Sequence, residues 1–236
     1  GWPTALVALA LLQLGLCAPL HAWLLRGAPP AAHTTGAGHA PHPPLRQHLT
    51  RSPFWLITLF TVLMMLVATA LPTHMIALLS EAGLPAHWVV GLPAAIGALQ
   101  VLGRLVLFVF ERHWDVHAAN RWIPALMPVS LLALVLGGVH PGAALLFVLL
   151  YGPGNGMITI VKGTAIAQYV STAHVGQLNG LLGLPIALAR ALAPWLLGLL
   201  WQPAGGYGLG LWVLLAISLG AVAALWLAQA HALRRP

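Results

Sequence analysis

Seven stretches of this chain run for about 20 residues or more with almost no charged side chain, and that pattern constrains the fold more than any other feature. A helix rises about 1.5 Å per residue, so roughly 20 apolar residues cross the ~30 Å hydrocarbon layer of a bilayer. The stretches cover 3–25, 54–80, 87–110, 121–139, 142–169, 177–201 and 207–230. In lipid every backbone N–H and C=O must be bonded within its own segment or within a closed barrel. The apolar residues are continuous and do not alternate, which excludes a barrel and leaves helices. The expected fold class is all-α integral membrane, with seven transmembrane helices and the lipid bilayer as the partner of most of the surface. Composition agrees: 6% of residues are charged, against about 25% in a soluble domain.

The connections alternate in charge. One set, 26–53, 111–121, 170–176 and the C-terminal tail, holds Arg26, Arg46, Arg51, Arg112, Arg121, Arg234 and Arg235. The other set, the N-terminus, 81–86, 140–141 and 202–206, holds no Lys or Arg. Basic loops stay on the cytoplasmic side, so the C-terminus is expected in the cytoplasm and the N-terminus outside. The net charge of +7 is then a matter of topology and lipid headgroups, and no nucleic-acid partner is expected. The single cysteine, Cys17, cannot form an internal disulfide. The first apolar run is followed, not preceded, by a charge (Arg26), the wrong order for a signal peptide. The expectation is that an N-terminal part is missing.

Residues 27–50 are rich in Pro, Gly, Ala and His and read as a flexible or extended linker. His33, His39, His42 and His48 match no closed metal site, and the segment has no cysteine or acid. The domain reading is a helix in 1–26, a linker in 27–51 and a six-helix bundle in 52–236. No soluble catalytic domain is present, so neither enzyme activity nor a cofactor or metal is expected.

Three of the ten basic residues fall inside the apolar runs: Arg104, Lys162 and Arg190. The acids Glu81, Glu111 and Asp115 all lie in or beside connections. A charge at the bilayer centre costs about 2.5–3.5 kcal/mol on insertion scales, so such residues commonly mark a substrate or ion path. Arg190 is almost midway along its span. Arg104 is roughly 9 Å from the midplane, and Lys162 is at a similar depth, where snorkelling to the interface is the competing reading. The functional reading is a water-filled cavity with a positive wall that binds an anion, Arg in bidentate fashion. Gln100, one turn before Arg104, and Asn155 could add hydrogen bonds to that wall. Asn155 lies in Gly152-Pro153-Gly154-Asn155-Gly156, a composition expected to loosen or break the helix; close packing through small residues is the alternative. His74 is a weaker candidate, more simply a satisfied interface residue, and His21 reads as structural. Gly176, Gly180, Gly183 and Pro185 look like packing positions.

These residues resemble a known family. One helix, a long linker and a six-helix bundle are similar to helix six through helix twelve of the major facilitator superfamily. Arg51-Ser52-Pro53-Phe54-Trp55 resembles the start of the seventh helix in bacterial members, and Gly97-Ala98-Leu99-Gln100-Val101-Leu102-Gly103-Arg104 the eighth. Asn155-Gly156 with Thr159-Ile160-Val161-Lys162-Gly163-Thr164 is similar to the tenth, which usually has Arg at the Lys162 position, and Ala189-Arg190-Ala191-Leu192-Ala193-Pro194 to the eleventh. The resemblance implies a C-terminal fragment of a carrier of the bacterial inner membrane, from the monocarboxylate and oxalate/formate porter-like branch. Its partner would be the missing N-terminal half of the same protein, and its substrate a small organic anion moved by alternating access. The substrate-binding set would be Arg190, Arg104, Lys162, Gln100, Asn155 and His74. Monocarboxylate porters carry an acid where this chain has Gln100, which argues against proton coupling through that helix. A drug or cation exporter of the same fold is the alternative, with the cations paired to acids elsewhere. A seven-helix membrane enzyme or receptor is a third reading.

Overall fold

The computed structural model describes residues 2–24, 26, 44–110 and 112–234. Its helices are α1 (Trp2–Leu12), a π-helical stretch (Gln13–Cys17), α2 (Ala18–Leu24), α3 (Leu45–Leu49), α4 (Ser52–Glu81), α5 (Ala86–Phe110), α6 (Val116–Trp122), α7 (Leu126–Gly137), α8 (Pro141–Tyr169), α9 (Val175–Leu199) and α10 (Gly208–Leu233). Seven helices are long and apolar enough to cross a membrane: Pro3–Leu24, α4, α5, Val116–Gly137, α8, α9 and α10. The chain is a multi-pass membrane protein by this measure, as its hydropathy requires.

Residues 1–42 and 43–236 form separate units. In the first, Pro3–Leu24 is exposed along nearly its whole length. His21 Nδ1 donates to the Cys17 carbonyl at 2.8 Å, next to the π-helical stretch. His33, His39 and His42 lie outside the described residues. The linker reading differs from the structure at its end, where Leu45–Leu49 forms a short helix.

In the second unit α4 is central. It packs against α5, α8, α9 and α10, while α8 also packs against α5 and α7. The largest fully buried side chains include Phe60, Met64, Phe147 and Tyr151 on these two helices. With lipid outside, such packing is held by close contact and hydrogen bonds, because apolar side chains gain little by leaving lipid. Thr61, Ser130 and Ser218 are buried, and each donates its hydroxyl to a carbonyl of its own helix, which leaves no polar atom stranded.

Two helices depart from the sequence reading. The fourth span begins at Val116, so Arg121 lies inside α6. It is interrupted at 123–125, where bonds tighten to the i−3 type, from Ala125 N to the Trp122 carbonyl and from Leu126 N to the Ile123 carbonyl. Pro124 supplies no N–H and disfavours helical geometry just before it. The fifth span, expected to loosen at Gly152–Gly156, instead runs unbroken from Pro141 to Tyr169. Its glycines form a seam with α5. A methyl group at Gly156 would collide with the Gln100 carbonyl, and one at Gly103 would collide with the Pro153 backbone. Neighbouring backbone thus holds the stretch helical. Gly176, Gly180 and Gly183 are not packing positions among the described residues, since a methyl at each would meet nothing within 4 Å.

Candidate functional site

Arg104, Lys162 and Arg190 come from α5, α8 and α9. Arg104 lies about six residues beyond the middle of α5, and Lys162 about seven beyond the middle of α8, both toward the arginine-bearing end. Arg190 lies about three residues past the middle of α9, toward the other end. At about 1.5 Å per residue, Arg190 is within roughly 5 Å of its helix centre.

Arg104 and Arg190 each make one side-chain contact, to α8 and to α4 respectively. Thr159 donates its hydroxyl to the Gly156 carbonyl at 2.7 Å, which leaves its oxygen free to accept from Arg104 Nε at 3.3 Å. Lys162 is three residues further along α8, on the same face as Thr159. Lys162 and Arg190 are close enough to interact as like charges. Arg190 Nη2 reaches the Met65 sulfur of α4 at 3.4 Å. A thioether is a weak acceptor, so the contact positions the guanidinium and neutralises nothing. Arg104 and Arg190 are exposed, Lys162 half-buried. None of the best-formed clefts of the chain is lined by these three residues. They occupy an open face.

Gln100 and Asn155 are half-buried. Gln100 stands at the α5–α8 seam, where its carbonyl abuts Gly156, and Asn155 is at the middle of α8. His74 is placed differently. Its Nε2 lies 2.9 Å from the Pro194 carbonyl and its Nδ1 3.0 Å from the Tyr207 hydroxyl. A carbonyl only accepts, so Nε2 carries the proton and Nδ1 accepts from Tyr207. Burial pushes the Tyr207 phenol above its ordinary range, and Glu81 adds to the effect, so the hydroxyl stays a donor. His74 therefore ties α4 to α9 and to the start of α10, with both nitrogens engaged inside the chain.

The two described acids are occupied elsewhere. Glu81 accepts the Trp201 indole N–H at 3.0 Å at the end opposite the arginines, and Asp115 caps α6 by accepting from Ala118 N at 2.8 Å. Among the described residues no acid meets the three cations.

Sequence reasoning assigned no role to Met65 or Thr159, nor to a polar cluster at the arginine-bearing end. There Asn120 Nδ2 donates to the Tyr169 hydroxyl at 3.0 Å, His117 Nδ1 lies 3.3 Å from that hydroxyl, and Gln229 Nε2 donates to the His117 carbonyl at 2.8 Å. The cluster joins α6, α8 and α10. Nearby His48 on α3 is 5% exposed, and neither ring nitrogen has a hydrogen-bond partner among the described residues. Its ring centroid is 5.6 Å from that of His174. No signal local to any of these residues could have paired them.

No protein-family model and no curated protein matches this chain.

Proposed function

We propose that this chain is part of a secondary transporter of the major facilitator type, carrying a small organic anion by alternating access. The observation that carries the reading is the set of cations inside the apolar spans, Arg104 held by Thr159, Arg190 held by Met65, and Lys162, with no acid among the described residues to neutralise them. Three uncompensated cations in a low-dielectric layer are costly. A carboxylate or similar anion entering between them removes part of that cost, and the anion exchanges its hydration for charge-assisted hydrogen bonds. Arg190 and Arg104 contact the anion. Lys162 tunes the site, and Gln100 and Asn155 supply neutral hydrogen bonds. His74 holds the helices in place.

The open face supports a second helical layer as the other wall. Only 17% of α5 and 22% of α9 are buried, against 44–56% of the other spans in this unit. Gly97 on α5 and Gly180 on α9 are unopposed among the described residues, and small residues of this kind allow another helix to approach closely. An N-terminal six-helix half is the proposed occupant, with the substrate between the halves.

Uptake of radiolabelled carboxylates tests this in cells expressing the protein together with that N-terminal half. Arg190→Ala is expected to lower uptake about ten- to hundredfold, the scale of losing one or two charge-assisted bonds, and Arg190→Lys to recover part. Equal uptake by wild type and Arg190→Ala removes the anion site.

A further inference from the structure

A second region is polar, positive and unexplained by the transport reading. A cleft of about 370 Å³ opens at the arginine-bearing end, bounded by the start of α4, the end of α8 with its following turn, and the last turns of α10. Its polar lining comes from Arg51, Gln168, Tyr169, Ser171 and Thr172, and no acid lines it. The Arg51 guanidinium has no hydrogen bond or ion pair among the described residues. Ser171 Oγ accepts from His174 N at 3.3 Å, so its hydroxyl proton remains available to donate.

The depth of the cleft indicates its ligand. Arg51 immediately precedes the span Ser52–Glu81, Ser171 and Thr172 follow the span that ends at Tyr169, and Ala232 is near the end of the span Gly208–Leu233. Three spans therefore leave the hydrocarbon around the cleft, at the level of lipid phosphates. Arg51 also precedes α4 without capping it by a side chain, so the helix start adds partial positive charge to the guanidinium. Pro53, Ala167, Val170 and Ala232 give the cleft an apolar wall, suited to the root of an acyl chain and not to a free ion.

We propose that this cleft binds the phosphodiester of an anionic phospholipid of the phosphatidylglycerol class. Arg51 supplies the charge-assisted bond, Ser171, Thr172 and Gln168 supply neutral donors, and the apolar wall receives the glycerol end of the acyl chains. The bound lipid bridges α4, α8 and α10 at one end of the bundle.

The test uses the purified protein in zwitterionic detergent, titrated separately with phosphatidylglycerol, phosphatidylcholine and inorganic phosphate. Native mass spectrometry counts bound lipid, and tryptophan fluorescence follows thermal unfolding. Phosphatidylglycerol is expected to bind and raise the unfolding midpoint, with phosphatidylcholine and phosphate without effect. Arg51→Gln is expected to weaken binding about tenfold, and Arg51→Lys to restore part of it. Arg112→Gln, at the same end but outside the cleft, is expected to leave binding unchanged. Should Arg51→Gln fail to fold, Gln168→Ala/Thr172→Val keeps the charge and still predicts measurable weakening. Equal effects of Arg51→Gln and Arg112→Gln would reduce the observation to general charge attraction and overturn the site. A midpoint shift reproduced by inorganic phosphate alone would overturn the assignment to a lipid, and so would unchanged binding by the double variant.

Discussion

Pro72 has no N–H, so the carbonyl of Ala68, one turn earlier in α4, loses its helical partner. Tyr151 of α8 donates its hydroxyl to that carbonyl at 3.1 Å from a fully buried position. Tyr151→Phe should strand the carbonyl and lower stability by about 1–3 kcal/mol, read as a reduced midpoint in detergent unfolding. Pro72→Ala in the Tyr151→Phe background should recover much of the loss by restoring the N–H. No recovery would mean that the tyrosine acts through packing alone. His48 makes a second prediction at this scale. Burial first, then the charges of Arg51 and His174, hold its imidazole below the ordinary value. The unfolded chain therefore takes up this proton first, near pH 6.5, so His48 favours the folded state above that pH. That contribution declines as pH falls below about 6.5 toward the depressed folded value. Unfolding midpoints measured between pH 8 and pH 5 should fall, and His48→Phe should flatten the fall.

At the scale of single helices, α8 shows why composition misled. A Gly-Pro-Gly-Asn-Gly stretch is what a broken helix and a close helix crossing both require, since each needs small residues. The neighbour decides between them, and here α5 presses its backbone against Gly156 and Pro153. Gly156→Ala should cost about 1–3 kcal/mol, as overpacking does. Gly163→Ala, further along the same helix with nothing within 4 Å, should be neutral or stabilising by up to about 1 kcal/mol. Equal unfolding midpoints for the two variants would dissolve the seam. The fourth span shows the converse: at Pro124, which supplies no N–H, the helix is interrupted and its bonds tighten to the i−3 type.

At the scale of the second unit, α5, α8, α9 and α10 pack against α4, and α5 and α9 are the least covered of its spans. Those two helices carry Arg104 and Arg190. The positions that would form a transport site are thus on the two least buried spans of the unit, and side chains there are free to meet a ligand or another helical layer. The lipid-level cleft, by contrast, is framed by α4, α8 and α10 at one end. Loss of transport in Arg190→Ala with lipid binding intact, and the opposite in Arg51→Gln, would separate the two.

Hydropathy belongs to each residue alone, so the chain's own letters determined the number of spans, their approximate limits, the alternation of charged connections and the three cations at membrane depth. In lipid the outward face of a helix is as apolar as the inward one. The amphipathic stripe that identifies a core face in water is therefore weak, and nothing local tells Gly156 from Gly180. The partners of His74 and Arg190 lie more than a hundred residues away, Tyr207 at a separation of 133 and Met65 at 125. Only tertiary structure decided which glycines meet a backbone, which prolines break their helix and which polar groups find each other, because each depends on what packing brings alongside.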